Sequence, residues 1–528
     1  MRAAISLVMF NAKKPMHWDF GKVYAIGYTT TSLLDVRNEI LQDASEYILF
    51  WDLELGDVPS ESIDEITKSS GDLWHLGPRL GTQNAIELLD FIQPTNMLHL
   101  NVDTSINHSS WKHSFRGSLM KFEVFKQTKL SAYSNSLDLM GLDFGYKAMK
   151  SGVITRYANL LKVKDNFASS MSLEKREQLL FIRNNFDAKA FFWTYLMSFF
   201  KISPLVFYNT YKSKDEHRSV IYKQKVNDME VLDGKNDSVS IVIATLERYP
   251  FLKNELEELR LLEIPVREII IIDQTPKAHR SRSFLKGFSD LPIVYIETDK
   301  LGQCSARNRG IEAATSKFIW FLDDDMKEIP PNYLEKHLST IYALNADVSC
   351  GIPDEIGTDF IDRSISKIEL AEGFPTNDVL VKRALLLAVN GFDVKMDQKQ
   401  SEDQEIGLRL LKNGALSVKN NQLRIVHLRA SRGGLRKHNV RKITFSSSRN
   451  SLFQRRFLHH SEIYLNLKHF TKEQVKKLVL LNIRGTFIVK GSFFKKSIKI
   501  ILGALLILHS ISTIYVSIKR AQRMINYK

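Results

Sequence analysis

The stretch "DSVSIVIATLERYPFLKNELEELRLLEIPVREIIIIDQTP", residues 237–276, decides the fold. Residues 239–244 are short and rich in β-branched side chains, which is typical of a buried parallel strand. Leucines at 252, 256 and 259 follow with helical spacing, and "EIIIID" predicts a second strand that ends at Asp273. A strand, a helix and a strand in this order predict an α/β domain with a mostly parallel sheet.

Two further strands are predicted downstream. They are "LPIVYIET" (291–298) and "KFIWFLDDD" (317–325), and the helical stretch "GQCSARNRGIEAATS" (302–316) lies between them. In such sheets, ligands bind at the carboxyl ends of the strands. Thr245, Asp273 and the acidic triplet 323–325 all fall at such ends, so we predict a site there.

The three adjacent aspartates require a positive partner because they repel one another at close range. A hard cation such as Mn²⁺ or Mg²⁺ takes carboxylate oxygens and can also bridge a diphosphate. Alternate residues of an extended segment share one face, so Asp323 and Asp325 are expected to point together. An isolated acidic triplet is more often a solvated turn, but this triplet ends a buried strand, which favours a metal site.

Five motifs together resemble a family 2 glycosyltransferase of the GT-A fold. They are "SIVIATLER", "EIIIIDQT", "ARNRGIEAA", "FIWFLDDD" and "SEDQEIGLRLLKNG", in order over about residues 238–435. The resemblance implies a nucleotide site in which the contacts come from Thr245, Glu247, Asp273 and Arg307. It places Asp323 near the ribose and the metal and Asp325 on the metal. It also implies Asp403 as the general base, with Glu402 beside it.

The candidate residues after position 400 also have structural interpretations. Glu402 and Asp403 could simply cap the helix that follows them. His427 follows a short strand, where a histidine is usually structural, although GT-A enzymes often use a late histidine as a metal ligand. The turn "SRGGLR" (431–436) could close over a diphosphate or be a charged surface loop. Arg432 is the predicted substrate contact in this turn, with Arg429 and Arg436 as alternatives.

The front of the chain resembles a degenerate repeat of the central segment. "EYILFWDLELGDVPSESI" (46–63) aligns without gaps on "KFIWFLDDDMKEIPPNYL" (317–334), and Asp52 then stands opposite Asp323. Further matches are "VRN" (36–38) with "ARN" and "LDFGYKAMKSG" (142–152) with "QEIGLRLLKNG". Met140 and Gly141 replace the Glu402–Asp403 pair, so this copy is predicted to lack a base.

These patterns predict four regions. Residues 1–165 form a truncated, non-catalytic GT-A-like domain, 166–236 a helical connector and linker, 237–435 the glycosyltransferase domain, and 436–528 a helical basic region. Residues 429–528 hold 22 Lys and Arg against two acids, a net charge of +20. Since the whole chain carries +15, the rest carries −5.

The basic tail indicates a membrane surface rather than nucleic acid. Residues 500–518 contain no charged side chain, and cations flank them on both sides. Flanks of the same sign favour a helix lying on anionic lipid over a membrane span; a buried C-terminal helix is the alternative. The two cysteines cannot build a disulfide framework, and no signal peptide is expected. We therefore expect a cytoplasmic protein that is peripheral on the inner face of the membrane.

The combined prediction is a metal-dependent, inverting glycosyltransferase of the hexosyltransferase type. It would move a sugar from a nucleotide-diphosphate sugar to a hydroxyl of a glycan or lipid-linked acceptor in surface polysaccharide synthesis. A sugar-phosphate nucleotidyltransferase would need a glycine-rich basic loop after the first strand, and "ATLERYPFL" is not one. A non-catalytic glycan-binding or scaffold protein would not need the intact aspartates Asp323, Asp325 and Asp403.

Overall fold

The computed structural model describes residues 3–11, 18–43, 45–131, 136–164, 171–213, 222, 237–357, 361–430 and 445–526. The described residues form a mixed α/β molecule with two large sheets, which confirms the predicted class. In the front half, strands β1 to β7 are Ile5–Phe10, Val23–Ile26, Tyr47–Asp52, Leu73–His75, His108–Ser109, Gly117–Lys121 and Thr155–Tyr157. Helices α1 to α7 are Thr30–Leu41, Ile63–Lys68, Phe122–Gln127, Leu137–Ser151, Lys175–Asn185, Ala188–Met197 and Pro204–Lys212.

The central half and the tail contain the remaining elements. Strands β8 to β18 are Val239–Thr245, Glu268–Asp273, Ile293–Glu297, Phe318–Asp323, Met326–Lys327, Val348–Cys350, Asp354–Glu355, Ile368–Leu370, Asp378–Lys382, Ser417–Asn420 and Val426–His427. Helices α8 to α12 are Tyr249–Leu259, Gln303–Ala313, Tyr333–Leu344, Arg383–Ala388 and Glu402–Lys412. Helices α13 to α17 are Phe445–Asn450, His460–His469, Lys472–Gly485, Phe493–Leu505 and Ile507–Asn526.

The central sheet has the strand order β10-β9-β8-β11-β16-β13-β17-β15. Its first four strands are parallel, whereas β16 runs antiparallel to both β11 and β13. The carboxyl ends of β8, β9 and β11 therefore meet at one edge. The apolar runs that predicted these strands are buried on both faces, and α8 packs on the sheet through its predicted leucines, Leu252, Leu256 and Leu259.

The front sheet has the order β2-β1-β3-β6-β4-β7-β5 and repeats the same pairings. Strand β3 lies between a parallel β1 and an antiparallel β6, as β11 lies between β8 and β16. On the far side, β4 pairs with a parallel β7, which pairs with an antiparallel β5. Among the described residues this sheet has no counterpart of β10. The repeat seen in the sequence is therefore also present in the topology.

The two halves share hydrophobic clusters, of which one is large. Leu139 and Met149 of α4 pack with Ile368 and Leu370 of β15 and with Val418 of β17. The edge of the central sheet thus rests on the front half, and each half covers apolar surface that the other would expose.

Helix α12 is tied to the tail by a buried carboxylate. Glu405 is fully buried and accepts hydrogen bonds from Arg409, Lys468 and His469. Burial raises the pKa of Glu405, but these three donors outweigh it and lower the pKa to about 2.

The helical connector packs on the large shared cluster. Helix α5 enters it through Leu179, Phe181 and Ile182, and Phe191 of α6 is buried in it as well. Helices α6 and α7 pack on each other through Phe191 and Phe207, whose rings stack at 5.1 Å, but leave large apolar side chains exposed.

The tail does not contain the single helix expected at 500–518, because α16 and α17 are separate helices that meet at a 64° bend. No single helix among the described residues is long and apolar enough to cross a membrane. Taken together, the bent pair α16–α17 has the length and the apolar composition that a membrane span needs. Helix α17 also belongs to the folded core, since Ala521 is buried in the same cluster as Ile463 and Tyr464 of α14.

Candidate active site

The carboxylates of the acidic triplet at the end of β11 point to two different sides of the chain. Asp324 is buried and accepts hydrogen bonds from the Thr245 hydroxyl at 2.7 Å and from Arg248 Nη1 at 2.8 Å. Because side chains alternate along an extended segment, Asp323 and Asp325 lie on the opposite side from Asp324, together with His427 of β18. One ligand atom from each of these three residues lies within 4.8 Å of the others.

This trio fits a divalent cation. Asp325 Oδ2 is held by the backbone N–H of Ala430 at 2.7 Å, and Asp325 Oδ1 lies 3.3 Å from His427 Nε2 and 3.6 Å from Arg248 Nη1. Burial would lower the pKa of His427, but the hydrogen bond to Asp325 and the charge of Asp323 outweigh it and raise the pKa. Two carboxylates and one imidazole are a donor set that Mn²⁺ or Mg²⁺ accepts.

Arg307 on α9 connects the metal trio to the Glu402–Asp403 pair. Its guanidinium donates to Asp323 Oδ1 at 3.2 Å and to Glu402 Oε1 at 3.3 Å, and it lies over the ring of Phe392. Burial alone would lower the pKa of Arg307, but the two carboxylates outweigh it and raise the pKa, so the side chain stays charged. The two motifs, far apart in sequence, are therefore joined by one buried cation.

The two carboxylates at the start of α12 differ in environment. Glu402 is buried against Arg307, whereas Asp403 is only half-buried and its Oδ1 accepts the N–H of Gln404 at 2.8 Å. Of the pair, Asp403 is thus the carboxylate that a ligand can reach, and Glu402 is held in place by a neighbour.

The residues predicted to contact the nucleoside do not all face solvent. Asp273 is fully buried and its carboxylate accepts from the hydroxyls of Tyr249 and Tyr295 and from the N–H of Thr275. The Thr245 hydroxyl is committed to Asp324, as described above. Both side chains are buried and hydrogen-bonded within the protein. The structure therefore does not place them where they would contact a nucleoside directly, contrary to the prediction.

Glu247 is the accessible member of the predicted nucleoside group. Its backbone has a positive φ of 58°, its N–H donates to Thr275 Oγ1 at 2.9 Å, and its carboxylate lies 3.5 Å from His279 Nδ1. A short cavity of about 270 Å³ opens nearby, lined by Lys277, Arg280, Ser281, Arg282 and Glu297. Its basic lining, which sequence reasoning did not single out, suits an anionic group.

Two further residues behind the triplet were missed. Arg248 lies just after β8 and neutralises Asp324. It could have been predicted, because a basic residue near a predicted carboxylate site is a candidate ion-pair partner. Glu255 of α8 is fully buried, and neither of its oxygens has a hydrogen-bond partner among the described residues. Burial and the nearby aspartates raise the pKa of Glu255 well above its usual range, so it adds no charge to the site.

The predicted basic turn is only partly visible. Arg432 and Arg436 lie outside the described residues. Arg429 is described, and its Nη1 lies 3.1 Å from the Glu355 carboxylate, so it is paired with an acid in the small sheet β12-β18-β14.

The matching position in the front half carries an internal cation. Asp52 is 1% exposed, and Arg116 Nε donates to its Oδ2 at 2.7 Å while Arg116 Nη2 donates to Glu54 at 2.8 Å. Strand register places Gly117 opposite Trp51 and Asp378 opposite Leu322, so Asn377 occupies the position that corresponds to Arg116. A guanidinium therefore lies beside Asp52, whereas the corresponding position of the central site holds an asparagine.

Comparison with known proteins identifies a family for part of the chain. Residues 240–389 match the family described as glycosyl transferase family 2. This central segment is a family 2 glycosyltransferase domain. A curated relative, "Putative glycosyltransferase EpsH" of Bacillus subtilis (strain 168), is 32% identical over 108 residues, which are 20% of this chain and 30% of the relative. The chain thus spans about a third of the length of the curated relative that it matches.

Solved structures similar to the chain include two complexes with nucleotide sugars. Mannosyltransferase PcManGT from Pyrobaculum calidifontis, in complex with GDP-Man and Mn²⁺, is 14% identical with a TM-score of 0.33, covering 57% of this chain and 91% of that one. Residues 1–349 of S. aureus TarS in complex with UDP-GlcNAc are 14% identical with a TM-score of 0.34, covering 50% and 70%.

Proposed function

We propose that the protein is a metal-dependent, inverting glycosyltransferase that moves a sugar from a nucleotide-diphosphate sugar to an acceptor hydroxyl. The observation that supports it is the junction of two groups within the family 2 segment. The trio Asp323, Asp325 and His427 faces one side of Arg307, and the pair Glu402–Asp403 faces the other. Such a junction suits a reaction in which charge leaves on one side while a proton is removed on the other.

Asp323, Asp325 and His427 would hold Mn²⁺ or Mg²⁺. When bound, the cation would neutralise the diphosphate that leaves from the sugar. Arg307 would assist as a fixed positive charge beside the same side chains, because its two carboxylate partners keep it ionised and in place.

Asp403 would act as the general base. Its carboxylate would take the proton from the acceptor hydroxyl as that oxygen bonds to the anomeric carbon. The bond from this carbon to the diphosphate oxygen breaks at the same time, and the electron pair leaves with the diphosphate. A single displacement of this kind inverts the anomeric centre, and it needs one base, which agrees with the one accessible carboxylate of the pair.

We further propose that the acceptor is a glycan or lipid-linked glycan of surface polysaccharide synthesis, reached from the cytoplasmic face of the membrane. The support is electrostatic: residues 474–526 contain ten Lys or Arg and no acid. A surface with this charge binds anionic lipid headgroups, which brings the site close to a membrane-held acceptor.

The test is a donor screen with the purified full chain. UDP- and GDP-sugars are incubated with Mn²⁺, with Mg²⁺ or with a chelator, and the released nucleoside diphosphate is measured. We expect release with at least one donor, dependent on the cation. Absence of turnover with every donor and cation, combined with cation-independent binding of glycans, would instead support the non-catalytic glycan-binding role. Formation of nucleotide sugar from a sugar phosphate would support a nucleotidyltransferase.

A further inference from the structure

The connector helices α6 and α7 and the turn between them expose an unusual amount of apolar surface. Their outward side chains include Leu196, Phe199, Phe200, Leu205 and Tyr208, and Phe200 is 100% exposed. Soluble proteins rarely leave several large neighbouring apolar side chains uncovered unless something binds there.

The charge of this segment is also one-sided, apart from Asp187, which caps the start of α6. Residues 188–213 contain Lys189, Lys201 and Lys212 and no acid. Protein partners usually offer both signs of charge, whereas an anionic bilayer offers apolar chains under a uniformly negative surface. Exposed aromatics with cations alone are complementary to the bilayer.

The connector also touches the tail. The guanidinium of Arg484 in α15 lies 4.4 Å from the centre of the Trp193 ring of α6. Beyond α15, Phe487 packs directly against Gly503 of α16. Helix α16 also exposes large apolar side chains, with Phe493 and Phe494 among them.

We propose that α6 and α7 are a second membrane-contacting element, which together with α16 and α17 forms one surface for anionic lipid. The two elements are separated by more than 250 residues in sequence but are joined through the Trp193–Arg484 contact. Lys201 and Lys212 bind lipid phosphates while Leu196, Phe200 and Leu205 enter the headgroup boundary. Membrane binding therefore depends on the connector as well as on the basic tail.

The test uses vesicle co-sedimentation of the full chain, with phosphatidylcholine alone or mixed with phosphatidylglycerol. The variant carries Leu196→Ser, Phe200→Ser and Leu205→Ser. Its control is Leu261→Ser, because Leu261 on the central domain is 63% exposed, against 64% for Leu196. We expect the triple variant to bind the anionic vesicles at least about tenfold more weakly and the control to bind as wild type. Wild-type binding should need phosphatidylglycerol and weaken with salt.

Two readouts keep the result interpretable. Thermal unfolding and Mn²⁺ binding of the triple variant show that it is folded, and neither depends on these exposed side chains. Unchanged vesicle binding of the folded triple variant would overturn the proposal. Sedimentation velocity adds a further outcome: if the triple variant loses self-association rather than vesicle binding, the surface is covered by a second copy and the proposal is wrong.

Discussion

Replacing Asp325 with Asn should remove most of the cation affinity of the protein. Asp325 is 1% exposed, and its Oδ1 faces His427 Nε2 at 3.3 Å within the proposed metal trio. The substitution keeps the size and one oxygen of the side chain, and it removes one of two carboxylate charges available to the ion.

The magnitude follows from Coulomb's law. A unit charge about 2.1 Å from a divalent ion contributes about 4 kcal/mol even at the dielectric constant of water. That energy corresponds to a loss on the order of several hundredfold. Because the amide oxygen can still act as a weak ligand, we expect Mn²⁺ to bind at least about a hundredfold more weakly. Titration followed by the electron paramagnetic resonance of free Mn²⁺ measures this without knowing the donor.

Asp52→Asn is the matched control, since Asp52 is equally buried at the end of the corresponding strand. It should leave Mn²⁺ binding unchanged, because Arg116 already neutralises this position. Its cost should appear in stability, with about 2 kcal/mol lost as Arg116 loses its buried carboxylate partner. Urea unfolding should show this loss for Asp52→Asn and a smaller one for Asp325→Asn.

The opposite pattern would refute the reasoning. Equal loss of Mn²⁺ binding in both variants would make the front half a second metal site. Wild-type Mn²⁺ affinity in Asp325→Asn would show that the trio with Asp323 and His427 does not hold the ion.

Other predictions concern the base, its support, the tail contact and the front-half cation. Asp403→Asn should lower transfer at least about a hundredfold while Mn²⁺ and nucleoside diphosphate still bind in calorimetry; retained transfer would exclude it as the base. Arg307→Lys keeps the charge but cannot serve two carboxylates as a planar fork, so turnover should fall about tenfold or more with Mn²⁺ binding retained. Glu405→Gln should destabilise the protein by about 3 kcal/mol at neutral pH. Because the folded pKa of Glu405 is lowered to about 2, this contribution is present above about pH 4.5 and should disappear as the pH falls toward 2 in urea unfolding. Asn377→Arg places a guanidinium where the front half has one, so it should compete with Mn²⁺ and weaken its binding; unchanged affinity would contradict the correspondence.

The central half could be predicted from sequence because its signals are local. Strand, helix and strand over 237–276 follow from side-chain periodicity, and the sheet-edge rule then places Asp273 and the triplet together. The alternation of Asp323, Asp324 and Asp325 follows from strand geometry alone. The order of the repeated motifs was also enough to predict that the front half shares the plan, which its strand order now shows.

Long-range pairings could not be predicted in the same way. The two tyrosines on Asp273, the Thr245 hydroxyl on Asp324 and the Arg307 bridge join residues that no local pattern connects. The break at Leu506 was missed because an apolar, uncharged stretch has the same composition whether it forms one helix or two. The exposure of α6 and α7 was missed since aromatic side chains usually indicate burial.

The two halves differ in how the carboxylate at the end of the corresponding strand is neutralised. A carboxylate buried at the end of this strand is costly without a positive partner. In the front half, Arg116 supplies that partner from within the chain, and the position is permanently neutralised.

In the central half the internal cations are differently distributed. Arg248 pairs closely with Asp324, and Arg307 is shared between Asp323 and Glu402, while the position of Arg116 holds the neutral Asn377. The carboxylate of Asp324 is thus neutralised by an arginine of the protein. Asp323 and Asp325 keep more negative charge than the neighbouring cations balance. We therefore propose that the exchange of arginine for asparagine at the start of one strand leaves the carboxylates of the central half open to a metal ion.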